Sequence, residues 1–196
     1  TPSLSIPSHI EALVFDLDGT LADTMPIHLR AWHEAGQQQG VHITDKMILD
    51  RAGMPTAKVA VELNQAFGWN LDPAKTKAGK DAAYARPKPQ MGVPPIQAVY
   101  DLAQSYRGRL PMAVGTGSNR HSAEETLRLL DMTDWFEALV SADDVTHHKP
   151  EPETYLRCAE LLGVAPEKCL AFEDAEYGFR SARAAGMEVI DVRPFY

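Results

Sequence analysis

The sequence has few cysteines, no excess of positive charge and no long apolar run. Its 196 residues include two cysteines, Cys158 and Cys169. Two thiols make neither a disulfide framework nor a zinc site. The simplest expectation is a reduced, cytoplasmic chain in which both are buried apolar residues. Lysine and arginine number 19 against 27 aspartates and glutamates, a formal net charge of −8. A chain this acidic is a poor match for a nucleic-acid backbone and for an anionic membrane surface. No apolar stretch approaches the ~20 residues of a membrane-spanning helix. Thr1 to Ile10 has no basic region and no long apolar segment, so no secretory signal is expected there. The rest is ordinary globular composition, 44% hydrophobic and 23% charged, at a length that buries a core without staples.

Five short apolar runs read as buried strands: Ala12–Phe15, Met112–Val114, Ala138–Val140, Leu170–Phe172 and Val189–Val192. They lack polar alternation, the pattern of a parallel sheet covered on both faces. Helical stretches separate the later runs. One spans about Ser122 to Leu130, with Ala123, Leu127 and Leu130 on one face. A second starts near Pro152, carries Tyr155, Cys158, Ala159 and Leu162 on one face and stops at Gly163. A third spans about Tyr177 to Ala185 and stops at Gly186. Alternating strands and helices predict an α/β, doubly wound sheet. Residues 25–91 differ, with no convincing strand. Leu29–Trp32, Met47–Leu49, Val59–Leu63 and the Ala- and Lys-rich Asp72–Arg86 look helical, and a Pro-rich stretch from Pro87-Lys88-Pro89 through Pro94-Pro95 follows. The expected organisation is an α/β core of residues 1–24 and 92–196 with an all-α insert, 25–91, after the first strand. No repeat or low-complexity tract interrupts it.

The chemistry-bearing residues cluster after the strands. Phe15-Asp16-Leu17-Asp18-Gly19-Thr20 sets two carboxylates at alternate positions where the first strand ends, the edge at which open α/β sheets bind ligands. Such a pair can hold a divalent metal, or one acid can be a nucleophile and the other a proton donor. An acidic turn that merely caps a helix is the alternative. Val114-Gly115-Thr116-Gly117-Ser118-Asn119 follows the second run; its small residues let backbone N–H groups face an anion, and Thr116 adds a hydroxyl. A plain helix N-cap is the competing reading. His147-His148-Lys149-Pro150 brings a lysine that can neutralise a phosphate oxygen or can be a solvated surface residue. Phe172-Glu173-Asp174 ends the fourth run with two acids suited to a metal or to helix capping. Together these residues supply a nucleophile, a metal site, an anion cradle and a cation, the parts of phosphoryl transfer.

The order and spacing of these motifs resemble the haloacid dehalogenase superfamily along essentially the whole chain. Asp16-Leu17-Asp18-Gly19-Thr20 is similar to its first motif, Thr116 to its second, Lys149 to its third and Glu173-Asp174 to its fourth. The insert resembles the helical cap of the subgroup that includes β-phosphoglucomutase. Pro111–Ser118, His147-His148-Lys149-Pro150 and Phe172-Glu173-Asp174-Ala175 look closest to phosphatases of fructose 1-phosphate and 6-phosphogluconate. The resemblance implies that Asp16 attacks phosphorus to form an aspartyl-phosphate. Asp18 then serves as acid and afterwards as base. Thr116 and Lys149 hold phosphoryl oxygens, and Gly117 and Ser118 are substrate-binding candidates. Mg²⁺ is expected on Asp16, the Asp18 carbonyl and Asp174, with Glu173 acting through water or from behind. Lys149 and Mg²⁺ leave one negative charge among four carboxylates, so Asp18 is expected to be protonated in the substrate complex.

The expected partner is a small phosphorylated sugar; the sequence leaves monomer or homodimer open. His28, Arg30 and Trp32 stand where the mutases have a similar His-x-Arg-Ala-Trp run, and Lys80 resembles a substrate-contacting cap lysine, so His28 and Lys80 are substrate-binding candidates. A helix residue without a catalytic part is the alternative for His28. Gly53-Met54-Pro55-Thr56 places a threonine where the mutase has an arginine for a second phosphate, which favours a phosphatase over the rival β-phosphoglucomutase. A receiver-type phospho-accepting signalling domain is the non-enzymatic alternative. The position of the nucleophile on the first strand and the helical insert argue against it. The charge also divides unevenly: residues 25–91 hold nine basic and six acidic residues, a net +3, which leaves −11 for the remainder.

Overall fold

The computed structural model describes residues 4–52, 54–86 and 92–196. Gly53 of the Gly-Met-Pro-Thr turn and Pro87-Lys88-Pro89 of the Pro-rich stretch lie outside the described residues. Packing divides the chain into two units, Thr24–Gly92 and Thr1–Asp23 with Val93–Tyr196. Among the described residues, no helix is long and apolar enough to cross a membrane.

The first unit is helical. It contains α1 (Met25–Gln37), α2 (Asp45–Leu49), α3 (Thr56–Phe67) and α4 (Pro73–Ala85), and no strand among its described residues. Ile27, Ala31, Trp32 and Ala35 recur at helical spacing and are buried along α1. Trp32 joins Ile43, Ile48, Val59, Ala60, Leu63 and Leu71 in the core of this unit, and Trp69 packs on it. Asp72 caps α4 by accepting from the N–H groups of Ala74 and Lys75, which satisfies two of the orphan donors of the first turn.

The second unit is a three-layered α/β structure. β1 (Ala12–Phe15), β2 (Met112–Gly115), β3 (Ala138–Val140), β4 (Cys169–Glu173) and β5 (Glu188–Asp191) form one parallel sheet in the order β3-β2-β1-β4-β5. Its helices are α5 (Gln97–Tyr106), α6 (Arg120–Leu129), α7 (Glu153–Leu162) and α8 (Glu176–Ala184). β1, β2 and β4 are buried throughout, as the apolar runs predict. β3 and β5 are only part-buried. They are the sheet edges, with a neighbour on one side alone, so the expectation of full cover fails for them. Pro152 stands one position before α7 instead of inside it, and α7 ends at Gly163 as expected.

Side chains alternate across a strand, and the sheet sorts them by size. Ala12, Val14, Ala113, Cys169 and Ala171 face a cluster with Tyr155, Cys158, Ala159, Ala182 and Met187 of the α7–α8 side. Small residues on this face let the two helices lie close to the sheet. The intervening positions carry the bulk: Phe15 stacks on Phe172 with ring centroids 4.6 Å apart and meets Phe136 edge-on at 6.0 Å. In this alternation Asp16, Gly115 and Glu173 continue the α7–α8 side beyond or at the strand ends. β1 is also where the chain changes direction, with β2 and β3 on one side and β4 and β5 on the other, the place where such sheets open a crevice.

Candidate active site

Asp16 follows β1, and its backbone N–H donates to the Phe172 carbonyl of β4 at 3.0 Å. The carboxylate therefore emerges level with the end of β4, where Glu173 and Asp174 stand. Carboxylate oxygens of Asp16, Glu173 and Asp174 all lie within 4.8 Å of one another. Lys149 reaches the same point from the loop before α7, across a cis Lys149–Pro150 peptide. Its Nζ donates to Asp16 Oδ1 at 2.8 Å, the Gly115 carbonyl at 3.1 Å and Glu173 Oε1 at 2.5 Å. These three close acceptors match the three donors of an ammonium, and the Tyr155 hydroxyl stands farther off at 3.4 Å. Lys149 is only 8% exposed, so its reading as a solvated surface lysine is excluded.

Two buried carboxylates and a part-buried third around one ammonium are short of positive charge. Burial, then Glu173, pushes Asp16 well above the ordinary carboxylate range against the opposing pull of Lys149. Burial and Glu173 push Asp174 up to about 7. Burial acts to lower Lys149, but Asp16 and Glu173 outweigh it and hold the ammonium above its ordinary value. A divalent cation among these oxygens would supply the missing charge, and the all-oxygen donor set suits a hard ion. Glu173 is the least available donor of the three. Its Oε1 already accepts from Lys149 and, at 2.5 Å, from the Tyr155 hydroxyl, while Oε2 accepts from the Asp174 N–H at 3.2 Å.

Asp18 stands apart from this cluster, paired with Ser118, whose hydroxyl donates to Asp18 Oδ2 at 2.6 Å. Thr116 is buried and its Oγ1 accepts the Ser118 N–H at 3.1 Å. Gly117 is exposed, with open space where a Cβ would stand. Helix capping in this loop is done by Asn119, which accepts from the Ser122 N–H. Neither Glu173 nor Asp174 caps α8, whose N-cap is Ala175 without a side-chain bond. His28 and Lys80 belong to the helical unit: the His28 ring stacks on Tyr84 at 4.1 Å, and Lys80 Nζ lies 5.0 Å from the same ring's centroid. His147 and His148 are exposed, and His147 pairs with Glu153.

Two glycines shape the cluster. Gly19 turns the chain at φ +85°, and a Cβ there would lie 2.3 Å from Asp174 Oδ2, so only glycine both makes the turn and leaves room. Gly178, in α8, lies directly behind Glu173; a Cβ would come within 1.9 Å of its carboxyl carbon. Sequence motifs mark Gly19. They mark neither Gly178 nor the Tyr155 hydroxyl, although Tyr155 is legible as a core-facing residue of α7. Tyr196 also reaches the site, where its hydroxyl donates to the Gly19 carbonyl.

Known proteins resemble this chain in sequence and fold. The family model of the haloacid dehalogenase-like hydrolases matches residues 13–192. A fructose-1-phosphate phosphatase of Escherichia coli is 44% identical over 184 residues, covering 92% of this chain and 95% of its own. A phosphorylated-carbohydrates phosphatase of Thermotoga maritima is 30% identical, covering 92% of this chain and 84% of its own. The β-phosphoglucomutase of Clostridium difficile shares the fold at a TM-score of 0.78 and 23% identity, covering 93% of this chain and 84% of its own. The chain belongs to the haloacid dehalogenase-like hydrolases.

Proposed function

We propose that this hydrolase is a Mg²⁺-dependent phosphatase that cleaves a small sugar phosphate monoester through an aspartyl-phosphate on Asp16. The observation that carries the reading is Asp16 itself, a carboxylate at the end of the central strand, 2.8 Å from a buried ammonium and grouped with two further acids. The names of the relatives, one acting on fructose 1-phosphate and one on phosphorylated carbohydrates, make sugar phosphates the substrate class. Both cysteines are free and buried, which supports a reduced, cytoplasmic setting.

An Asp16 oxygen attacks phosphorus, and the sugar oxygen leaves with a proton from Asp18. Asp18 then takes a proton from water, whose oxygen attacks the phosphoryl group and frees Asp16 and inorganic phosphate. Lys149 offsets repulsion between the attacking carboxylate and the phosphate, and the Thr116 hydroxyl with the N–H groups of the 116–118 loop receives phosphoryl oxygens. Asp16, Asp174 and the Asp18 carbonyl would hold Mg²⁺. When bound, the ion adds positive charge that stabilises the transferring phosphoryl group. Glu173 acts from behind, through Lys149. His28 and Lys80 are the proposed substrate contacts of the helical unit.

The test is phosphate release from a panel of sugar phosphates, fructose 1-phosphate included, by protein stripped of metal and then resupplied with Mg²⁺. Release is expected only with the divalent ion. Asp16→Asn should bring release to background and abolish acid-quench trapping of phosphoenzyme together. Metal-independent release overturns the site assignment. Conversion of β-glucose 1-phosphate to glucose 6-phosphate under a bisphosphate primer, without phosphate release, overturns the phosphatase in favour of the mutase.

A further inference from the structure

Tyr155 is the largest fully buried side chain among the described residues. It sits in an otherwise apolar cluster of small residues beneath α7. Phenylalanine would fill the same space without the cost of burying a hydroxyl. The hydroxyl has a specific partner, Glu173 Oε1 at 2.5 Å, the same oxygen that takes the Lys149 ammonium. Glu173 has no room to move away from these donors, because α8 backs its carboxylate at Gly178. Lys149 in turn lies 4.9 Å from the Tyr155 ring centroid, gives its close hydrogen bonds to Glu173, Gly115 and Asp16, and meets the Tyr155 hydroxyl at 3.4 Å.

We infer that Tyr155 is a positioning residue for the phosphoryl-transfer step: its hydroxyl fixes the Glu173 carboxylate, which fixes the Lys149 ammonium against Asp16. Tyr155 touches no reacting atom. Burial and the neighbouring Glu173 and Asp16 push its hydroxyl well above the ordinary range, so it remains a donor at any working pH. Without that donor, Glu173 Oε1 keeps Lys149 as its only charge-assisted partner. The ammonium then shifts toward Glu173 and away from the nucleophile it neutralises. The loss falls on the chemical step, because the sugar-contacting residues are untouched. This inference rests on the phosphatase reading above.

The experiment is a double-substitution cycle with Tyr155→Phe, Glu173→Gln and the pair together, measured as kcat and KM for a sugar phosphate at saturating Mg²⁺. Tyr155→Phe keeps the ring and should fold. Its kcat is expected to fall about tenfold to a hundredfold while KM stays within about twofold. The double variant is expected to be little slower than Glu173→Gln alone, since the hydroxyl acts chiefly through that carboxylate at 2.5 Å and touches Lys149 Nζ only at 3.4 Å. Met187→Ala, in the same apolar cluster but distant in chemistry, is the packing control: it should lower the melting temperature and leave kcat unchanged. A Tyr155→Phe enzyme with wild-type kcat overturns the inference, as does additivity of the two substitutions, or a Met187→Ala enzyme slowed as much as Tyr155→Phe. Wild-type protein that releases no phosphate overturns the phosphatase reading and the inference with it; active wild type with an unaffected Tyr155→Phe overturns the inference alone.

Discussion

At the scale of single residues, the two acids of the Asp-Leu-Asp motif are held in different ways. Asp16 shares a buried ammonium with Glu173, whereas Asp18 accepts a short bond from a neutral hydroxyl, Ser118 Oγ at 2.6 Å. A proton carrier needs a partner that can be given up, and a serine hydroxyl can turn from donating to accepting when the carboxyl gains its proton. Ser118 therefore aims Asp18 through a bond that either protonation state can keep. Ser118→Ala should lower kcat by about tenfold, the order expected for one hydrogen bond to a charged group, with little change in KM. Steady-state kinetics decides it; a raised KM at unchanged kcat would make Ser118 a substrate contact and nothing more. The acids themselves were legible from the motif. Their partners were not, because Asp18 and Ser118 lie 100 positions apart, and only the parallel register brings the ends of β1 and β2 side by side.

At the scale of elements, the site depends on what strand alternation delivers to the α7–α8 side. Gly178 shows how tightly helix and carboxylate meet. Within a helix, alanine normally outranks glycine by about 1 kcal/mol. At Gly178 the added carbon would fall within 1.9 Å of the Glu173 carboxyl group, which is itself pinned by Lys149 and Tyr155. Gly178→Ala should thus destabilise the chain by roughly 1–3 kcal/mol and slow phosphate release, the usual cost of overpacking. Gly79 in α4 makes the contrast. A Cβ there comes too close only to the flexible end of Gln38, at 2.7 Å from its Oε1, and meets Ala35 Cβ at an ordinary 3.9 Å, so Gly79→Ala should be neutral or stabilising by up to about 1 kcal/mol. Urea unfolding of both variants checks the two signs. The strands were legible because uninterrupted apolar runs have few other uses, and their observed limits depart from the runs by no more than a residue at either end. Helix α5 was not read. Its buried residues Val99, Leu102 and Ala103 carry helical spacing, but they follow directly on the prolines at 94 and 95, which break local pattern. The burial of Lys149 was not legible either, since nothing local separates a lysine under a helix from one in water.

At the scale of the whole molecule, an acidic chain has gathered part of its negative charge where it is least solvated. Asp16, Glu173 and Asp174 face one lysine in the interior, and the folded protein bears the cost as a dependence on pH and metal. Burial, then Glu173, raises Asp174 from 3.8 to about 7, and Asp16 moves in the same direction. Between those values the folded chain keeps protons that the unfolded chain has released. Stability therefore falls as pH rises through that window. Lys149, held above its ordinary range, stays charged throughout. A divalent ion binds the ionised carboxylates, so it stabilises most where they have lost their protons. Metal-free protein should melt at a lower temperature at about pH 8 than at about pH 5, and Mg²⁺ should raise the melting temperature more at the higher pH. Asp174→Asn removes both a part-buried charge and a metal oxygen. It should flatten the metal-free decline and shrink the Mg²⁺ gain in the same melts. An Asp174→Asn protein with the full wild-type Mg²⁺ gain would move the metal off this carboxylate, and with it the explanation of why the core tolerates so much negative charge around one lysine.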